Sequence, residues 1–182
     1  MTVVSFSNVD GTSHQAPNPG GIRKVYVALA KDIVGVWPNI KTDFEDGEIK
    51  VLPTMKTGKK FAVYECPDGT VDASHSYTGE PGYSSYKHMI NFSLAGHNKE
   101  LSKEVKKHEN AGSVYIVEEN DGQHCVVGST DVPIFLKHDL KTGKKGSDKR
   151  GYDFKGEADG FTFGFTPIKE SLISTIPILP EE

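Results

Sequence analysis

Residues 150–166 read RGYDFKGEADGFTFGFT, and this stretch decides the fold. Phe161, Phe163 and Phe165 alternate with Thr162, Gly164 and Thr166. Side chains two apart in a strand point the same way, so three rings share one face and should enter a core. Upstream, Tyr152 and Phe154 alternate with Asp153 and Lys155, so a second strand divides in the same manner. Between them sits Asp159-Gly160, a pair that tolerates the positive φ of a type I′ turn. The stretch predicts an antiparallel hairpin whose core residues are Tyr152, Phe154, Phe161, Phe163 and Phe165.

The same signals recur outward along the chain. Five Asp-Gly pairs punctuate it, at 10–11, 46–47, 68–69, 121–122 and 159–160, and four of them lie between strand-like segments. Strands are expected at 22–30, 49–53, 61–66, 70–77, 86–94, 113–119 and 123–128, in antiparallel meanders. Composition agrees: Val, Ile and Thr number 16, 11 and 12, against 8 each for Ala and Leu. β-branched side chains suit a pleated surface and lose χ1 freedom in a helix. One segment alone has helical grammar. Asn98 can cap it, Leu101, Val105 and His108 fall on one stripe, and Asn110-Ala111-Gly112 ends it. So narrow a stripe predicts a helix on the flank of a sheet.

Length and charge narrow the function classes. A chain of 182 residues buries enough surface to hold a core without metal or disulfide. Cys66 and Cys125 then read as small buried hydrophobes in a reducing compartment. No apolar run has the length of a membrane span, and the start lacks a basic flank before an apolar stretch, so neither membrane insertion nor export is expected. The formal net charge of -4 opposes broad nucleic-acid binding, which runs on clustered Lys and Arg. Three segments lack periodicity. Residues 1–21 read as a flexible N-terminal arm, with SNVDGTSHQAPNPGG at 7–21. Residues 139–151, DLKTGKKGSDKRG, form a basic loop carrying Lys141, Lys144, Lys145, Lys149 and Arg150. Residues 168–182 form an extended C-terminal arm after the 22–167 domain. Leu172, Ile173, Ile176, Ile178 and Leu179 of that arm are too apolar for water, and a neighbouring subunit is their expected cover.

Motifs for chemistry are missing from the pattern. KTGKK occurs at 56–60 and 141–145, yet a P-loop needs Gly where Pro53 and His138 stand and Ser or Thr where Lys60 and Lys145 stand. Both read as solvated turns. The seven histidines have no metal-ligand spacing, and no cofactor motif is present. His124 and Cys125, being adjacent on a strand, point to opposite faces and make no catalytic pair, and no nucleophile elbow occurs. The chain is expected not to be an enzyme. Trp37, Tyr77, Tyr83 and Tyr86 offer an alternative, a sugar-stacking platform on a carbohydrate-binding sandwich, against the reading of a loop packed by aromatics.

The order of features resembles bacteriophage tail tube proteins, particularly those of Bacteroidetes phages and prophages. The resemblance rests on Gly20-Gly21-Ile22 opening a long strand (RKVYVALAKDIVGV), a short lysine-rich helix, the hairpin VYIVEENDGQHCVVG, and the loop-strand KTGKKGSDKRGYDF. It implies a mainly β fold, an antiparallel β-sandwich or small barrel with one short flanking α-helix. It implies homo-oligomers as well: hexameric rings stacked into a tube in the virion tail, made in the host cytoplasm and joined to other tail proteins. A single terminator or connector ring of the same fold is the alternative role. DNA would pass through without specific binding, which a net acidic chain suits, and Lys141, Lys144, Lys145, Lys149 and Arg150 would form an inter-subunit or inter-ring loop.

Overall fold

The structure, a computed structural model, describes residues 5–9 and 17–180. Strands β1 (Ile22–Leu29), β2 (Phe44–Glu45), β3 (Glu48–Ile49), β4 (Ala62–Glu65), β5 (Asp72–Thr78) and β6 (Ser85–Ala95) precede helix α1 (Lys99–Lys106). Strands β7 (Gly112–Glu119), β8 (His124–Val127), β9 (Ile134–Lys141), β10 (Gly151–Phe161) and β11 (Thr166–Pro167) follow, then the one-turn helix α2 (Glu170–Ile173). All pairings between these strands are antiparallel. The chain is mainly β with one flanking helix of regular length, as its patterning implies.

Two half-sheets form a sandwich. One runs β4-β1-β7-β8-β11 and the other β9-β10-β6-β5, and they join at a corner where Gly112 and Ser113 pair with Phe135 and Ile134. Alternate residues of the first half, Val25, Val27, Tyr115, Val117, Cys125 and Val127, face Ile90, Phe92, Ile134, Leu136, Tyr152 and Phe154 of the second. This is the main core. The intervening residues Tyr26, Ala28, Val114, Ile116 and Val126 face the other way, into a second core closed by Ile33, Trp37, Ile49, Phe61, Ile168 and Ile176. Residues 113–117 are therefore buried on both faces, which is why VYIV at 114–117 shows no alternation of apolar with charged residues.

Turn chemistry mostly acts as the Asp-Gly pairs imply. Asp46 and Gly47, at φ 51° and 84°, join β2 to β3 in a two-residue turn. In the β7–β8 hairpin the Gly122 N–H donates to the Glu119 carbonyl at 2.9 Å and the Glu119 N–H to that of Gln123 at 2.8 Å. The pair at 10–11 lies outside the described residues. Asp159-Gly160 corrects the expectation drawn from it. It is a bulge inside β10, where Asp159 pairs with Lys87 and Phe161 with Tyr86. A bulge glycine and a hairpin glycine need the same positive φ, here 95°. The extra residue shifts the alternation by one and returns Phe161 to the face of Tyr152 and Phe154. Phe163 then lies beyond the strand, buried, and Phe165 is partly buried against the same core.

α1 has the cap read for it: Asn98 Oδ1 accepts the Leu101 N–H at 2.7 Å. Val105 and His108 are buried, and Asn110 takes φ 54° in the closing turn. Two further expectations change. The strand at 49–53 shrinks to Glu48–Ile49, because the next backbone groups bond to loop residues: the Lys50 N–H donates to the Asp43 carbonyl at 2.8 Å and the Val51 carbonyl accepts from Trp37 Nε1. The loop at 139–151 is shorter than expected, because β9 runs through Lys141 and pairs it with Gly151, leaving 142–150 as the tip.

The C-terminal segment corrects the arm assignment. Ile168 pairs with Ile49, and the chain turns through α2. The Phe61 N–H then donates to the Pro177 carbonyl at 2.8 Å and the Leu179 N–H to that of Phe61 at 2.9 Å. It covers the second core of its own chain and turns through α2, so it is not an arm extended throughout. Described residues 5–9 and 17–20 carry no secondary structure and are exposed.

Candidate functional site

The β9–β10 hairpin carries the basic residues away from the core. At its tip Asp148 Oδ2 accepts the N–H groups of Lys144 at 2.7 Å and Lys145 at 2.9 Å. Those two bonds hold its carboxyl below the usual range and fix the bend. Lys141 is tied down, with Nζ 2.5 Å from Asp153 Oδ2, while Asp153 also accepts the Ser93 hydroxyl at 2.6 Å. The bond from Lys141 keeps Asp153 ionised further into acid. Arg150 Nη2 donates to the His97 carbonyl at 3.0 Å, and the Arg150 carbonyl accepts the Gly96 N–H at 2.9 Å. Lys144, Lys145 and Lys149 make no ion pair among the described residues. The expected set thus divides: Lys141 and Arg150 brace the base of the hairpin, and three lysines stay in solvent. Beside them a cleft of ≈ 490 Å³ is lined by residues including Asp68, Thr70, Ser93, Lys149, Arg150 and Asp153. Its mixed charge favours neither sign of ligand.

The predicted C-terminal contact residues gather at the second core. Ile176 is buried there, Leu172, Ile173 and Ile178 pack against it half-buried, and Leu179 stays exposed.

Two clusters have no signal in the sequence, because strands distant in the chain assemble them. His88 lies wholly within the core. Its ring stacks on Phe161 at 3.9 Å between centroids and meets Phe163 and Phe165 edge-on. Nδ1 accepts the Gly128 N–H at 3.1 Å, and Nε2 donates to the Phe163 carbonyl at 2.8 Å. Burial pushes its pKa down to about 4, against the pull of the Phe163 carbonyl. His88 is a neutral strut that ties β6 to β8 and to the segment after β10. The second cluster joins α1 to β4. His108 Nε2 donates to the Tyr64 oxygen at 2.8 Å, and the Tyr64 hydroxyl donates to Glu104 Oε1 at 3.1 Å. Burial raises the Tyr64 pKa and lowers that of His108, which favours the neutral form of both rings.

Burial pushes the Cys66 thiol up to about 11 and that of Cys125 up to about 12. Among the described residues no three His, Cys, Asp or Glu side chains are placed to hold a metal ion, and no helix is long and apolar enough to cross a membrane. The aromatic platform does not assemble as a unit. Trp37 is buried with Nε1 donating to the Val51 carbonyl at 2.8 Å, whereas Tyr77 and Tyr83 are exposed.

Fold and surface define the class of this molecule, an antiparallel β-sandwich with one regular flanking helix, a projecting basic hairpin and a second core closed by its own C-terminal segment. Comparison with protein-family models, with curated proteins and with solved structures finds no match to the chain.

Proposed function

We propose that this protein is a non-enzymatic structural subunit of a phage tail that self-assembles into hexameric rings stacked as a tube for DNA passage. One observation carries the reading. The order that resembles tail tube proteins corresponds to discrete elements of one sandwich: β1 after Gly20-Gly21, lysine-rich α1, the β7–β8 hairpin and the basic β9–β10 hairpin. The three solvated lysines supply a contact that can steer and register a neighbour, which is what exposed charge does best. The net charge of -4 suits a wall along which DNA slides. A terminator or connector ring of the same fold is the second reading. It is favoured by the segment after Pro167, which lies outside the resemblance and caps one face. Native mass measurement followed by negative-stain imaging tests both. Hexamers that stack support the tube, hexamers that stay single support the terminator, and a monomer at high concentration overturns the assembly reading.

A further inference from the structure

The outer edge of β5 is a strand-pairing site left open. β5 pairs with β6 along Asp72–Thr78, and no described residue pairs with its other side. Natural edges are blunted with lysine, proline, a bulge or brevity. β5 has none of these: its residues DASHSYT run seven long in unbroken register, with Asp72 at one end as the sole carboxylate. The free part of β9 makes the contrast, since it carries Lys137 and Lys141. On the core side β5 ends in an aromatic shelf. His75 lies 5.2 Å from Phe165 and 5.6 Å from Tyr86, and Tyr77 lies 4.8 Å from Tyr86, centroid to centroid. The Phe165 N–H donates to His75 Nδ1 at 3.2 Å and fixes that ring, while Tyr77 remains 63% exposed at the margin.

A matching segment exists in the same sequence. Ser5-Phe6-Ser7-Asn8-Val9 is uncharged and has no secondary structure, and Phe6 and Val9 touch almost nothing, at 101% and 93% exposure. A phenylalanine in full contact with water leaves its burial free energy unused. We propose that Ser5–Val9 of one copy adds as a strand to the open edge of β5 in a second copy, with Phe6 extending the shelf of His75, Tyr77 and Tyr86. The inference rests on the self-assembly reading and names its contact. Donor and acceptor are different surfaces of one chain, so the contact runs head to tail and closes into a ring or propagates as a filament. The chain from Val9 to Ile22 spans up to ~45 Å when extended, enough to reach an adjacent subunit. Main-chain bonds supply affinity in such strand addition, and the alternate side chain on the shelf sets register.

The test places a photo-reactive group on the segment: Phe6→p-benzoylphenylalanine in the full chain, with unlabelled and ¹⁵N-labelled chains mixed, irradiated, digested and read by mass spectrometry. Phe6 is fully exposed among the described residues, so the substitution leaves the fold intact. Adducts joining an unlabelled position 6 to labelled residues 72–78 are expected, and Ser76→Lys, which guards the edge, should cut their yield ~tenfold or more. Adducts only within one chain, adducts away from β5, or none overturn the proposal. Rings on imaging without these adducts overturn strand addition and spare the assembly reading; these adducts with filaments or dimers in place of rings support strand addition and overturn the hexameric ring.

Discussion

His88 turns a packing decision into a pH dependence. The unfolded imidazole takes a proton below its ordinary pKa of 6.5, while the folded ring stays neutral until about 4. Protons therefore bind the unfolded state preferentially between those values. Stability contributed by the neutral ring is complete above pH 6.5 and is lost as pH falls towards 4. Over pH 7 to 5 the loss from His88 is about 2 kcal/mol, and His108, lowered by burial in the same direction, adds to it. Urea midpoints at the two pH values check this, with a smaller difference in His88→Gln. An NMR titration placing the His88 ring at 6.5 or above would sink the idea. Nothing in the local sequence KHMIN marks this histidine, because its partners Gly128 and Phe163 come from distant parts of the chain.

At the scale of elements the C-terminal segment behaves as part of the fold. Ile176→Ala should cost ~2–5 kcal/mol, since the side chain sits in the second core with Ile49 and Phe61. Truncation after Pro167 removes that cover from Tyr26, Ile116 and Val126, and the truncated chain should lose its cooperative thermal transition by circular dichroism. A wild-type melting midpoint for it would return the segment to a neighbour's surface. What the patterning conveyed here was a demand for burial. Ile173, Ile176 and Ile178 state that demand plainly, yet any apolar face satisfies it, and Phe61 and Ile49 are far away in sequence. Tyr152 and Phe154 were legible because period two is a local property. Asp159-Gly160 misled for a local reason also, as one dipeptide serves both hairpin and bulge. β9 went unread because its alternation is broken on both faces, by Phe135 beside Lys137 and Asp139 on the solvent side and by His138 beside Leu136 on the core side.

For the whole molecule, assembly should depend on salt. Lys144, Lys145 and Lys149 reversed together to Glu should leave the melting midpoint of the subunit unchanged, because the tip of the β9–β10 hairpin buries nothing. Stacking of rings should weaken in that variant, and in the wild type as ionic strength rises past the point where the screening length falls below ~10 Å. Light scattering across a salt series reads both effects; tubes of normal length from the variant at every salt would remove the hairpin from the contact. The double-sided burial of β7 also bears on how the chain is made. Synthesis delivers β1 and β7 long before Ile168 and Ile176, so these two strands are made well before the residues that cover their second face. Until residues 168–179 emerge, the nascent chain presents a bare strip of Tyr26, Ile116 and Val126 to its surroundings, a surface on which a chaperone can hold it apart from other chains.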